Sequence, residues 1–164
     1  MERRRKLNVK IPAGIDTDSR LKITGEGEAG ERGGPRGNLY VHIVVKPHSI
    51  LHRQGNDLYC EMLIPFSAAA LGGDVEFPTL VDGKTKFQIP AGTPSGKIFR
   101  LKEKGMPVLG GNGRGDQMVR IEIEVPTRLS DKERALLEEW ARERKDSLGT
   151  PKKKGFFDHF KDSF

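Results

Sequence analysis

The sequence predicts a mainly β fold, with two successive, related β-sandwich-like subdomains, the first incomplete, followed by a C-terminal α-helix. Three observations support this prediction. Apolar and polar residues alternate along several stretches, which is typical of half-buried strands. The sequence repeats itself at a constant offset, and near its end a capping box precedes an apolar stripe with helical spacing. The 20 glycines and 10 prolines provide the turns that a β-rich chain of 164 residues needs.

Stripes of alternating apolar residues predict the strands. In chain order these stripes cover residues 7–11, 39–45, 58–64, 75–77, 87–89, 99–101 and 119–125. Asp82 and Gly83 mark a hairpin turn between two of the shorter strands. Residues 67–71 fit one helical turn, which Gly72 and Gly73 would close.

The strongest helix signal begins at Ser130, which forms a capping box with Glu133. Gly149 and Pro151 predict its end. The apolar stripe of this helix contains Leu136, Leu137, Trp140 and Ala141. Four phenylalanines follow with helical spacing on a polar background, namely Phe156, Phe157, Phe160 and Phe164, and the first three of them are predicted dimerisation residues. Aromatic residues are enriched at protein interfaces, so these two sets of residues predict a self-association surface. An alternative is that both segments pack on their own second subdomain.

The sequence contains an internal repeat. The tetrapeptide Ile-Pro-Ala-Gly occurs at 11–14 and again at 89–92, which is an offset of 78 residues (92 − 14 = 78). The same offset relates Leu21 to Phe99, Ile23 to Leu101, Gly27 to Gly105, Gly37 to Gly115, Val41 to Val119 and Ile43 to Ile121. One offset kept over more than thirty residues indicates two related units.

The repeat also predicts the domain boundaries. The second unit has a long leading segment, residues 48–84, whereas only ten residues precede the first Ile-Pro-Ala-Gly. We therefore expect the leading half of the first unit to lie upstream of Met1. The predicted domains are the C-terminal half of the first β subdomain at 1–47, the second β subdomain at 48–127, and a dimerisation helix with its Phe-rich tail at 128–164.

The charge distribution disfavours nucleic-acid binding. The formal net charge is +6, but residues 2–6 contribute +3 (4 − 1) and residues 152–154 contribute another +3, so the remainder is neutral. A nucleic-acid-binding domain usually carries its basic residues on one folded face. No apolar stretch follows the basic residues near Met1, so we expect no signal peptide. The single cysteine, Cys60, fits a reducing, cytoplasmic location and allows no disulfide within the chain.

No motif predicts an enzyme or a metal site. Gly25, Gly27 and Gly30 match the dinucleotide-binding spacing, but the strand and helix that this motif needs are not predicted around them, and a glycine-rich hairpin loop explains them. Cys60 lies on an apolar stripe without a histidine in a fixed relation to it. The four histidines show no metal-ligand spacing, so we expect no bound metal in this chain.

Several short segments resemble the bacterial DnaJ family. They are VKIPAGI at 9–15, GEGEAG at 25–30, GNLYV at 37–41, GNDLYC at 55–60, AALGG at 69–73, PTL at 78–80, GK-x-FRL at 96–101 and KGM at 104–106. No single segment is decisive, but their order and spacing make the match strong. The resemblance covers about residues 7–145.

This resemblance implies a non-enzymatic co-chaperone with two β subdomains in series and a V-shaped homodimer formed through its C-terminal segment. It implies binding of unfolded polypeptide clients and their delivery to a partner heat-shock ATPase chaperone. The His-Pro-Asp tripeptide of the J-domain and the Cys-x-x-Cys-x-Gly-x-Gly zinc repeats are absent from this sequence. We therefore expect no ATPase stimulation by that route, and zinc only in other parts of the full-length protein.

The resemblance places the client pocket in the first subdomain. Leu7 and Val41 match positions in its wall, and Val9 and Ile43 lie on the same two stripes. These four residues are the predicted client-binding residues. β units with exposed apolar alternation can bind an extended peptide along a strand edge. The alternative is a structural dimerisation module with little client binding of its own.

Overall fold

The described part of the chain is mainly β, and its last element is a helix, as predicted. The computed structural model describes residues 6–146 and 149, which fall into two compact units divided between Val125 and Pro126. The strands are β1 (Arg20–Ile23), β2 (Leu39–His42), β3 (His52–Gln54), β4 (Asp57–Pro65), β5 (Gly73–Thr79), β6 (Gly83–Ile89), β7 (Ile98–Leu101) and β8 (Gln117–Glu124). The α-helices are α1 (Phe66–Leu71) and α2 (Asp131–Arg144). The domain boundaries at 47 and 127 remain predictions.

The strands of the described chain form three sheets. β1 pairs with β2, β5 pairs with β6, and a four-stranded sheet has the order β3-β4-β8-β7. The central pair of that sheet, β4 and β8, is parallel from Leu58 opposite Gln117 to Pro65 opposite Glu124. Its inner face, the β5–β6 hairpin and α1 share one apolar core, which includes Leu58, Cys60, Ile64, Ala69, Phe77, Ile89, Val119 and Ile121.

The turn and helix signals are confirmed. Asp82 and Gly83 close the β5–β6 hairpin, and Gly83 has a φ of +74° that few other residues adopt readily. α1 ends at Gly72, where a side chain would lie 2.7 Å from the backbone nitrogen of Ala91. Ser130 caps α2 as predicted, because its side chain accepts a hydrogen bond from the backbone N–H of Glu133.

The internal repeat is present in the strand pairing. β1 and β2 are antiparallel from Arg20 opposite His42 to Ile23 opposite Leu39. β7 and β8 are antiparallel in the register obtained by adding 78 to each number, with Ile98 opposite Arg120 at one end of the ladder. The offset found in the sequence therefore corresponds to one β-ribbon built twice, as predicted.

Backbone hydrogen bonds outside the ladders repeat as well. The N–H of Ile43 donates to the carbonyl of Ser19 at 2.9 Å, and the N–H of Ile121 donates to the carbonyl of Lys97 at 2.8 Å. In the loops, two glycine pairs keep the same offset, with N–H to carbonyl distances of 2.9 Å for Gly27 to Gly37 and 2.8 Å for Gly105 to Gly115. The local sequence of each repeat therefore determines the same backbone path.

Three predicted element bounds are wrong. Residues 7–11 form no strand, since the described chain contains no partner for them, whereas the equivalent residues 85–89 lie in β6 and pair with β5. The second predicted strand stops at His42 rather than at residue 45. α2 stops at Arg144, well before Gly149, because Lys145 adopts a left-handed conformation with a φ of +52°.

Candidate functional site

The β1–β2 ribbon has one half-buried apolar face and one exposed polar face. Leu21, Ile23, Val41 and Ile43 are half-buried, while Arg20, Lys22, Tyr40 and His42 are exposed. This alternation follows from the two-residue period of a strand, which directs successive side chains to opposite sides. The apolar face contains two of the four predicted client-binding residues, Val41 and Ile43.

The structure places the four predicted client-binding residues in different settings. Val41 lies in β2 directly opposite Leu21, and Ile43 lies one residue beyond the end of that strand. Leu7 and Val9 are half-buried in an irregular segment that precedes β1. All four are thus neither core residues nor fully exposed ones, and their role in binding remains a prediction.

The outer edge of β2 is open in the part of the chain that the structure describes. Within residues 6–146, β2 pairs only with β1, whereas the equivalent strand β8 pairs with β7 on one side and β4 on the other. Because Ile43 bonds toward the β1 side, the backbone groups of Tyr40 and His42 point away from it. The second repeat uses the equivalent groups to hold a strand.

Several apolar side chains of the first repeat are exposed, in β2, directly after it and in the segment before β1. Ile11 is 60% exposed, whereas its repeat counterpart Ile89 is 1% exposed. Tyr40, Val44 and Val45 are also exposed. Single exposed apolar residues are common on protein surfaces, but several consecutive ones in and after an unpaired strand are typical of a binding surface.

An arginine holds the first repeat against the second. The guanidinium of Arg53 donates to the carbonyls of Ile15 at 2.7 Å and Gly14 at 2.8 Å, and it lies 3.6 Å from the carboxylate of Asp16. Gly14 also packs closely against the backbone of Pro107. The segment that leads into β1 is therefore fixed to the second repeat by directed contacts.

A groove of about 880 Å³ lies on the outer face of the four-stranded sheet. Its apolar lining residues include Ile50, Tyr59, Ile98 and Met118. The guanidinium of Arg120, which also lines the groove, lies 3.0 Å from the carboxylate of Glu122. Sequence reasoning missed this groove, although large side chains such as Tyr59 and Ile98 at the polar-face positions of their strands were a signal for it.

Asp116 holds the second ribbon together through hydrogen bonds and an ion pair. Its carboxylate accepts hydrogen bonds from the backbone N–H of Glu103 at 2.9 Å and from Nε of Arg100 at 2.5 Å. The Glu103 N–H and then the Arg100 guanidinium lower the pKa of this carboxyl below its ordinary value. The first repeat has Asn38 at the equivalent position, which cannot form this ion pair.

The chemistry of Cys60 and of the glycine-rich loop agrees with the sequence interpretation. Burial raises the pKa of the Cys60 thiol, although a contact with the side chain of Gln117 lowers it in part. The thiol is therefore protonated at neutral pH and is a poor nucleophile. Residues 25–30 lie in the connection between β1 and β2, which contains no α-helix, so the hairpin-loop interpretation is confirmed.

The apolar stripe of the helix α2 is partly exposed. Leu136 and Leu137 are exposed, and Trp140 is 43% exposed with the guanidinium of Arg144 at 4.9 Å from its ring. No residue of α2 is buried. At the start of the helix, hydrogen bonds from Ser130 lower the pKa of the Glu133 carboxyl. The remaining predicted dimerisation residues, Phe156, Phe157 and Phe160, lie outside the described residues.

The described chain contains the same β-ribbon twice, and a parallel strand covers the edge of the second copy but not of the first. A capped helix follows. These features define a modular β protein with exposed apolar surfaces. A family described as "DnaJ C terminal domain" matches residues 1–126. The chain therefore belongs to the DnaJ C-terminal domain family, which confirms the resemblance found in the sequence. No helix within the described residues is long and apolar enough to span a bilayer.

Relatives from several bacteria cover nearly the whole chain. A protein named chaperone protein DnaJ from Ruminiclostridium cellulolyticum is 52% identical over 160 residues, which is 98% of this chain and 42% of the relative. Proteins of the same name from Leptospira biflexa and Clostridioides difficile are 50% and 49% identical over 95% and 96% of this chain. They extend well beyond the match, because the chain spans only 42% and 41% of their lengths.

Proposed function

We propose that this chain is the part of a co-chaperone that binds unfolded or misfolded polypeptide clients, for delivery to a partner heat-shock ATPase chaperone. The observation that carries the proposal is the open β1–β2 ribbon. Its apolar face at Val41 and Ile43 is only half-buried, and the edge of β2 has no partner strand within residues 6–146.

Strand addition suits a binder of many different sequences. Backbone hydrogen bonds along the edge of β2 do not depend on the side chains of the bound segment. The apolar face would favour segments with an apolar residue at every second position, which are common in unfolded chains and buried in folded ones. Membership in the DnaJ C-terminal domain family supports the same proposal.

The proposal requires no catalytic chemistry. The chain acts as a binding module without a metal or cofactor of its own, in the cytoplasm, and the ATPase is its partner. The raised pKa of the buried Cys60 thiol agrees with a structural role for this residue.

Binding of a reduced, permanently unfolded polypeptide, followed by fluorescence anisotropy, tests the proposal. Val41→Glu should weaken binding about tenfold or more, because a desolvated carboxylate opposes an apolar segment. Val41→Thr keeps the side-chain shape and should weaken binding less. This second variant keeps the test informative if Val41→Glu unfolds the chain. Leu63→Glu places the same charge on the exposed face of β4 and serves as the control. Equal affinity of all four proteins would contradict the proposal.

We further propose that residues 128–164 carry self-association. The exposed stripe of Leu136, Leu137 and Trp140 supports this proposal, because a tryptophan half-exposed on a helix is typical of an interface. Trp140→Ala should weaken the dimer by about 2 kcal/mol or more. Sedimentation of a chain truncated after Thr127 tests whether these residues are needed for the dimer. A truncated chain that stays dimeric at micromolar concentration would refute the proposal.

The two proposals can fail independently. A chain that dimerises but does not bind the unfolded polypeptide would instead be a structural dimerisation module. A chain that binds the polypeptide as a monomer would retain the first proposal and lose the second.

A further inference from the structure

Asn112 is exposed in the loop that joins β7 to β8, and the exposed Gly113 follows it. Within residues 6–146, neither the side chain of Asn112 nor the N–H of Gly113 forms a hydrogen bond. Gly113 has a φ of +95°, and a Cβ added to it would meet no atom within 4 Å apart from its chain neighbours. The side-chain amide of Asn112 and the backbone nitrogen beside it are therefore unhindered.

An asparagine that precedes a glycine can cyclise on its own backbone. The nitrogen of Gly113 attacks the Cγ atom of Asn112, so that an N–Cγ bond forms and the Cγ–Nδ2 bond breaks. The amide proton of Gly113 passes through solvent to the departing nitrogen, which leaves as ammonia. Water then opens the cyclic imide at either of its carbonyls, which gives aspartate or isoaspartate. Water is the only co-reactant, and glycine favours the first step because it has no Cβ to hinder the approach.

The other three asparagines of the sequence precede larger residues. They are Asn8, Asn38 and Asn56, followed by Val9, Leu39 and Asp57. In the first repeat, the positions equivalent to 112 and 113 hold Gly34 and Pro35, which cannot form an imide. A fast reaction is therefore expected at Asn112 and at no other asparagine.

Asp82 also precedes a glycine, but its surroundings oppose the equivalent reaction. Its carboxylate accepts hydrogen bonds from Nζ of Lys104 and from the hydroxyl of Thr85, and the bond from Lys104 lowers the pKa of this carboxyl. An ionised carboxylate resists attack, and Gly83 is held opposite Thr79 in the β5–β6 ladder. The two turns that contain an acid or amide before glycine are therefore expected to differ in chemical stability.

The loop that contains Asn112 also contacts the first repeat. Gly14 packs so closely against this loop that an added Cβ would lie 3.1 Å from the backbone nitrogen of Leu109. The same part of the loop is fixed by a hydrogen bond from the N–H of Val108 to the carbonyl of Gly113 at 3.1 Å. Isoaspartate at position 112 would add one carbon to the main chain directly before Gly113, so this hydrogen bond would be displaced.

We propose that Asn112 converts spontaneously to aspartate and isoaspartate, and that the isoaspartate form loosens the contact between the two repeats. This modification is independent of the proposed function, because it depends only on the loop and on its contact with Gly14. Both products carry the same new negative charge, but only isoaspartate lengthens the main chain. The two products should therefore differ in their effect on the first repeat.

Mass spectrometry of tryptic peptides from the full chain, incubated at mildly alkaline pH and body temperature, measures the conversion. Cleavage after Lys104 and Arg114 isolates residues 105–114, in which Asn112 is the only asparagine. The rate at Asn112 should exceed that at any other asparagine about tenfold or more, and should lie within about tenfold of the rate in a synthetic peptide of residues 105–114. A folded chain in which Asn112 converts about a hundredfold more slowly than in the peptide would show that the fold protects this site, and would overturn the proposal.

Two substitutions at the same position provide matched controls. Asn112→Gln keeps an amide but should slow the conversion about tenfold or more, because its imide would be a six-membered ring. Freshly purified Asn112→Asp carries the new charge without the added main-chain carbon. Conversion of Asn112→Gln at the rate of the parent chain would contradict the proposed chemistry.

Amide hydrogen exchange of the isoaspartate form, separated by chromatography, tests the effect on the first repeat. The N–H of Ile43, which donates to the carbonyl of Ser19 at 2.9 Å, should exchange about threefold or more faster than in the parent chain. The N–H of Ile121 should be unchanged, and incubated Asn112→Gln and fresh Asn112→Asp should both match the parent. Unchanged exchange at Ile43 in the isoaspartate form would overturn the proposed effect. The same acceleration in Asn112→Asp would also overturn it, because the cause would then be the charge and not the longer main chain.

Discussion

The two repeats have the same strand register but differ in burial. Val119 and Ile121 are 0% exposed, whereas their counterparts Val41 and Ile43 are only half-buried. The ribbon of the second repeat is enclosed by β4, α1 and the β5–β6 hairpin, and the described part of the first repeat contains no equivalents of these elements. The local sequence therefore determines the ribbon, whereas the neighbouring elements determine whether it is core or surface.

The repeats also differ in how each ribbon is fixed. Asp116 ties β8 to Arg100 of β7 within the second ribbon. The first ribbon has Asn38 at the position of Asp116, and its leading segment is held from outside by Arg53. The first repeat therefore depends on the second for its position, while the second is fixed by its own contacts.

The largest expected effect comes from truncating equivalent core positions. Ile121→Ala should lower the free energy of unfolding by about 2–5 kcal/mol, because it leaves a cavity in a closed core. Ile43→Ala should lower it by less than about 1 kcal/mol, since this side chain is only half-buried and its truncation leaves no closed cavity. Urea unfolding of both variants, followed by circular dichroism, measures the difference. Equal losses would show that the first repeat is as well packed as the second.

The next effect concerns the contact between the repeats. Arg53→Lys keeps a positive charge but loses the planar fork that reaches two carbonyls, at a cost of about 1.5–3 kcal/mol. Amide exchange should quicken at Ile43 and leave Ile121 unchanged, because only the first ribbon is held by this contact. Equal acceleration at both amides would mean that Arg53 stabilises the whole unit and not the position of one repeat.

The smallest expected effect concerns the charge of Asp116, which the first repeat lacks at the equivalent position. Asp116→Asn gives the second repeat the residue of the first and should lower the unfolding midpoint at pH 7. The folded-state pKa of Asp116 is lowered from 3.8, so its contribution is complete well above that pH and is lost as the pH falls through the lowered value. The difference between variant and parent should therefore shrink between about pH 5 and pH 2. A difference that is constant with pH would rule out a role of the charge.

The sequence predicted the elements that depend on local signals. The repeat offset, the alternation in β8 and the Ser130 capping box each correspond to an observed feature. The predicted strand at residues 7–11 is absent because a strand requires a partner, and alternation alone does not show whether one exists. The groove around Tyr59 was missed because it depends on which strands become neighbours, in particular on the parallel pairing of β4 with β8.

The candidate site was predictable only in part, for the same reason. Val41 and Ile43 were identified from their stripe and from the family resemblance, and the structure places them on the open ribbon. The sequence predicted that the first subdomain is incomplete and its apolar strand surface under-covered, but not that the open edge is that of β2, because the alternation does not reveal the strand order. The contact made by Arg53 carries no sequence signal, since one arginine among 29 basic residues has no distinguishing pattern.

Under the proposed function, the open ribbon of the first repeat binds extended polypeptide and the closed ribbon of the second does not. Hydrogen exchange of the full chain, with and without a saturating unfolded polypeptide, tests it most directly. The amides of Tyr40 and His42 should exchange quickly in the free chain and become protected on binding, whereas those of Met118 and Arg120 should be slow in both states because β4 already pairs with them. Binding without new protection at Tyr40 and His42 would contradict the claim.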